Sequence, residues 1–212
     1  MTLHLMLIGV LNSVSVMHLT ILAASGRTGS ALTRQALDRG HTVTAIARDV
    51  SRIALDHPNL RKVTGDASGP LTVDPGTVVL SGLGTDRPGV LSEGAQAVIA
   101  AGPRRIIWLG AYGTGASAQA AGEGAEVLWK FFGDRIPDKV AADDAVLAAG
   151  GTVFHAGVLT DEPYRPGRTV GLDEAPPFDL GAKISRETVA AAMLDEAENP
   201  RFAGAVALPL AG

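Results

Sequence analysis

The apolar positions of the chain change period repeatedly, and the changes read as strands alternating with helices. Leu19–Ala24 is a short apolar run ending in a turn of small residues. Across Thr28–Arg39, Ala31, Leu32, Gln35 and Ala36 fall at helical spacing, and Gly40 supplies the stop. Thr42–Ala47 alternates Val43, Ala45 and Ala47 with Thr42, Thr44 and Ile46, as a strand does. Leu60–Thr64 reads as a third strand, and Val78–Ser81 as a fourth, entered from the Asp74-Pro75-Gly76 turn. Gly89–Ala101 reads as a helix, and Arg105–Leu109 as a fifth strand whose Ile106-Ile107-Trp108 run suits burial on both faces.

Beyond that strand the chain changes character. Gly110–Gly124 reads as a loop over the strand ends, Glu126–Phe132 as a short helix, and Lys139–Ala149 as a helix closed by Gly150-Gly151. Thr152–His155 is a sixth strand. Asp161–Pro177 carries several prolines and reads as a lid-like segment. Ser185–Glu198 is a helix with Ser185 as N-cap and Glu187 in the first turn, and Ala205–Leu208 is a closing strand. This alternation predicts an α/β fold: a Rossmann-like, doubly wound parallel sheet in one domain, with a small C-terminal substrate region.

Composition narrows the function classes. The 212 residues suit one core, and 46% hydrophobic with 19% charged residues is an ordinary globular balance. A net charge of -4 argues against a nucleic-acid partner. With no Cys there is no thiolate metal site and no Cys nucleophile, and a cytoplasmic location is expected. Residues 1–16 are apolar but shorter than the roughly 20 residues a membrane span needs. They carry no Lys or Arg, unlike a signal peptide. They read as an N-terminal extension to a domain covering residues 17–212, with an added edge strand or interface segment as the rival reading. The expected partner is a small molecule, without membrane contact, on a monomer or homodimer.

The turn between the first strand and the first helix carries the chemistry. Ala23-Ala24-Ser25-Gly26-Arg27-Thr28-Gly29 is a fingerprint of the GxxGxxG kind, with Ala23 in place of the first Gly. Small residues let the backbone approach a pyrophosphate, and the helix N-terminus presents free N–H donors to it. Ala23, Ser25, Gly26, Arg27, Thr28 and Gly29 are therefore expected to bind a dinucleotide. Arg48 ends the second strand, where an acid would bond the ribose 2′-hydroxyl of NAD. Arg48 and Arg52, with Arg27, instead suit a 2′-phosphate, which favours NADP; Asp49 beside them keeps NAD open. Asp66 and Ala67 follow the third strand and suit the adenine, and Gly82-Leu83-Gly84 follows the fourth.

The turn, the Ala47-Arg48-Asp49 step, Gly65-Asp66, Ser92-Glu93-Gly94-Ala95 and Ile184-Ser185-Arg186 together resemble the atypical short-chain dehydrogenases/reductases. The similarity is to the NAD(P)H-binding, NmrA-like group that includes flavin reductase/biliverdin-IXβ reductase, and it runs from about Leu19 to the C-terminus. The resemblance implies a Rossmann fold, NADP binding and hydride transfer to a flavin, quinone or similar flat acceptor. It also implies that Gly110, Ala111, Lys139, His155, Ala156 and Gly157 lie beside the cofactor. Some members of the group only sense the cofactor, and an epimerase-like activity is a further alternative.

The catalytic half departs from the pattern. The Tyr-x-x-x-Lys pair is absent, since Tyr112 is followed four residues later by Ala116, and the position where relatives often carry Ser reads Gly110. Tyr112 and His155 are the remaining candidates for a proton donor; each also suits a purely structural place. Trp129, Phe131 and Phe132 are read as core, a dimer contact or an apolar wall for a flat acceptor. The five His residues are scattered with no i, i+4 pair, so no metal is expected. No Walker-type or Gly-x-Ser-x-Gly motif occurs.

Overall fold

A computed structural model describes residues 15–84 and 87–212; most of the expected N-terminal extension, residues 1–14, lies outside them. The elements in chain order are β1 (His18–Leu22), α1 (Arg27–Asp38), β2 (Thr42–Ala47), β3 (Leu60–Thr64), β4 (Val78–Ser81), α2 (Val90–Ala100) and β5 (Arg105–Ala111). They continue with α3 (Ala118–Ala121), α4 (Glu126–Phe132), α5 (Ile136–Ala148), β6 (Thr152–Ala156), β7 (Val158–Thr160), β8 (Gly167–Val170), β9 (Lys183–Ser185), α6 (Arg186–Glu198) and β10 (Val206–Ala211).

Eight strands form one sheet in the order β3-β2-β1-β4-β5-β6-β10-β8. All its pairings are parallel except β10 with β8. The chain leaves β1 for β2 on one side and returns to β4 on the other, so the carboxyl ends of β1 and β4 flank the switch point where such sheets bind ligands.

The two faces of the sheet bury separate clusters. One joins Leu19, Ile21 and Phe154 to Leu32 of α1 and Met193 and Leu194 of α6. The other joins Leu22, Val79 and Trp108 to Val98 of α2 and Val146 of α5. Strands covered on both faces read as near-continuous apolar runs, which is why β4 and β5 stand out in the sequence. Ser185 caps α6 as expected, its hydroxyl accepting the Thr188 N–H at 3.0 Å.

Two expectations need correction. Asp161–Pro177 is not all loop: β8 lies within it and pairs with β10 across Leu208–Val170 and Leu210–Arg168. Its four residues are bracketed by Pro166 and Pro176-Pro177 and occupy the sheet edge, where flanking prolines cost no ladder bond. Gly110–Gly124 likewise begins as strand, since β5 runs on to Ala111 to pair with Ala156, and it then forms α3. Strands β7 and β9, too short to show a period, form a separate parallel pair.

Candidate functional site

The Ala23–Gly29 turn is built by close packing rather than by side-chain hydrogen bonds. Gly26 caps α1 in an extended conformation and no side chain bonds there, leaving first-turn N–H groups directed out of the helix end. A Cβ on Gly29 would lie 2.2 Å from the Ala23 carbonyl oxygen, and one on Gly82 would lie 3.0 Å from the Gly29 nitrogen. Ala23 itself has φ of 58°, a left-handed conformation in which the replaced Gly would carry no strain.

A pocket opens beside this turn at the ends of β1, β2 and β3. Ala23, Ser25, Gly26, Arg48, Arg52, Asp66, Ala67, Leu83 and Gly84 of the expected set all line it. Arg87, which no sequence motif marks, lines it too; it lies in the β4–α2 connection, far in sequence from the motif, and only the fold brings it there. Arg27 does not join this group. Its guanidinium donates to Asp161 at 2.9 Å, and Asp161 also accepts from Arg186 at 2.6 Å. As the first residue of α1, Arg27 projects toward the β7 end, so the expected convergence of three guanidinium groups becomes Arg48, Arg52 and Arg87.

Two carboxylates near the pocket are engaged locally. Asp66 accepts from the Ser68 N–H at 3.1 Å and hydroxyl at 2.9 Å. Those bonds, with Arg48 and Arg87 nearby, hold its carboxyl below the usual range. Asp49 accepts from the Ser51 N–H and hydroxyl, which likewise lower it. Thus Asp49 turns toward its own backbone.

A second cavity, of about 260 Å³, lies beyond the ends of β6 and β10. Tyr112, His155 and Gly157 line it, together with Phe178 and the Pro176-Pro177 pair. The Tyr112 hydroxyl donates to the Pro176 carbonyl, its ring centroid lies 6.1 Å from that of Phe178, and burial pushes the phenol pKa up. His155 is buried with both ring nitrogens occupied: Nδ1 is 2.6 Å from the Ser117 Oγ and Nε2 is 3.0 Å from the Asp143 carboxylate. The Ser117 hydroxyl also accepts the Gly113 N–H at 2.9 Å, tying the β5–α3 connection to the pair.

This cluster also accounts for Gly110. A Cβ there would fall 2.7 Å from both Asp143 Oδ2 and His155 Cδ2, so the space a serine would take is filled by these two hydrogen-bonded side chains. Gly110 and Ala111 stand opposite His155 and Ala156 in the β5–β6 ladder. Lys139 is half-buried in α5 with its ammonium 4.7 Å from the Phe132 ring centre, and it lines neither cavity described above. Trp129 donates from its indole to the Gly113 carbonyl at 2.7 Å, and Phe131 is 69% exposed. The aromatic wall of the cavity is Tyr112 and Phe178 rather than the α4 aromatics.

Residues 23–200 match a family described as NAD(P)H-binding. Among curated proteins none matches the chain in sequence. Solved structures share the fold. A short-chain dehydrogenase/reductase of wide type from Veillonella parvula, solved with NADP, superposes with a TM-score of 0.70 at 19% identity, over 91% of this chain and 94% of its own. ChuY, an anaerobillin reductase from Escherichia coli O157:H7, gives 0.72 at 18% identity, over 92% and 97%. A provisionally named NADH-flavin reductase from Streptococcus pneumoniae gives 0.70 at 18% identity, over 92% and 100%.

Proposed function

Since the chain belongs to the NAD(P)H-binding family matched over residues 23–200, we propose that it is an NADPH-dependent reductase acting on a small, flat, conjugated acceptor such as a flavin or quinone. The observation that carries this reading is the layout of the sheet's carboxyl edge: an arginine-lined pocket beside the Gly-rich turn, and a separate aromatic-walled cavity beyond β6. The close packing of Gly29 on the Ala23 carbonyl and of Gly82 on Gly29 keeps the turn tight, as a pyrophosphate-binding turn requires. Arg48, Arg52 and Arg87 would take a 2′-phosphate, where the fork of a guanidinium matches phosphate oxygens.

When bound, reduced nicotinamide supplies a hydride, and the acceptor completes its two-electron reduction with a proton from water. The protein's part is then positioning and exclusion of water. Tyr112 and Phe178 offer faces for a flat ring, and Pro176-Pro177 lines the cavity with them. Structural relatives named as reductases of flavin and of anaerobillin support an acceptor of this general kind.

A second reading, a cofactor sensor without turnover, is favoured by one observation. The Tyr112 hydroxyl is donated to a carbonyl and both nitrogens of His155 are occupied, so neither expected proton donor is free to serve an acceptor. Titration with NADPH and NADH, followed by the loss of reduced-nicotinamide absorbance on adding FMN or a quinone, separates the two. Acceptor-dependent oxidation supports the reductase; tight binding without oxidation across an acceptor panel overturns it in favour of the sensor.

A further inference from the structure

We propose that the cavity beyond β6 and β10 selects a small flat ligand bearing one anionic group, a carboxylate in the first instance, and that Arg168 and Lys183 are the residues that recognise it. The inference rests on the reductase reading only in taking this ligand to be the hydride acceptor; the binding claim stands by itself.

Three observations support it. First, about 260 Å³ is below the roughly 300–1,000 Å³ of sites for drug-sized ligands, so the occupant is compact. Second, the walls are apolar and flat. Tyr112, Pro176, Pro177, Phe178, Ile184 and Leu208 suit a ring system and offer it no free polar group, because the Tyr112 hydroxyl is already donated. Third, the charged residues on the rim are unevenly satisfied. Asp179 accepts the Gly181 N–H at 2.7 Å. Arg168 has its acid, Glu174, only at 4.0 Å, with both side chains about two-thirds exposed, a pairing of little strength. Lys183 pairs with no described carboxylate.

Both cations line this cavity, Arg168 also facing the neighbouring groove that holds Glu174. Arg168 stands on β8 opposite Leu210 of β10, and Lys183 begins β9 opposite Val158. They come from two different sheets and reach one cavity on strands, which hold a side chain's origin more firmly than loops do. An apolar body whose rim carries two cations against the one Asp179 carboxylate recognises an amphiphilic anion: burial of the ring provides affinity and a charge-assisted hydrogen bond sets orientation.

The test is calorimetric titration of the NADP⁺-saturated full chain with naphthoate and with its neutral isostere naphthamide, repeated on the Arg168→Gln/Lys183→Gln double variant. Saturation keeps both probes out of the dinucleotide pocket. The expected result is about tenfold tighter binding of naphthoate, with the ratio falling toward one in the variant. Equal affinities in the native chain, a preference that survives the double substitution, or no binding of either probe at millimolar concentration would overturn the proposal. NADPH oxidation by naphthoquinone, measured alongside, reports on the reductase reading separately. Naphthoate preference without oxidation keeps the site and removes the reductase; oxidation without naphthoate preference does the reverse.

Discussion

Ala23 and Gly29 meet across the Gly-rich turn between β1 and α1, where the Ala23 carbonyl oxygen occupies the place a Gly29 side chain would need, 2.2 Å from its Cβ position. Ala23 meanwhile holds φ at 58°, costly for any residue with a Cβ. The two positions should therefore respond oppositely to substitution. Ala23→Gly relieves strain at some cost in chain entropy, and the expected net effect is a gain of up to about 1 kcal/mol. Gly29→Ala should cost about 1–3 kcal/mol through overpacking and weaken NADPH binding in the fraction that folds. Thermal unfolding and cofactor titration of the two variants check both signs.

The arginine pocket makes a prediction about cofactor choice. Arg48→Ala and Arg87→Ala should each weaken NADPH by about 10- to 100-fold, the usual range for a lost charge-assisted contact, and change NADH little. Raising the salt concentration should narrow the gap between the two cofactors. Equal losses for NADPH and NADH would remove the 2′-phosphate from this pocket.

Asp143 and His155 fill the space behind Gly110, and that packing is testable. Gly110→Ser places atoms 2.7 Å from both side chains and should destabilise by about 1–3 kcal/mol. Asp143→Ala leaves a buried imidazole nitrogen without its partner and should cost about 1–3 kcal/mol or more. Chemical denaturation gives both values. If Asp143→Ala unfolds at the native midpoint, the pair is not holding the β5–β6 region together.

Asp138 provides a pH-dependent link. Its carboxylate, at the start of α5, caps α2 by accepting the Leu91 N–H at 3.1 Å, the Ser92 N–H at 2.9 Å and the Ser92 hydroxyl at 2.7 Å. Burial raises its pKa, but these bonds outweigh it and hold the group below the usual carboxylate range. A lowered folded value means that the stabilisation is complete above the unfolded value of about 3.9 and is lost as pH falls through the folded one. Asp138→Ala should thus cost about 1 kcal/mol at neutral pH, with the difference shrinking below about pH 4. A constant difference across that window would place the cost elsewhere.

What the sequence determined by itself is whatever depends on neighbours along the chain. The periods of β2 and α1, the Ser185 cap and the small residues of the Ala23–Gly29 turn are local facts, because dihedral preference, helical spacing and capping act within a few residues. Bringing Arg87 to Arg48, turning Arg27 to Asp161, pairing β8 with β10 and setting His155 against Asp143 required the tertiary structure. Those contacts join residues whose spacing carries no period, and only the order of strands in the sheet and the direction of each side chain leaving its backbone decide which of them meet.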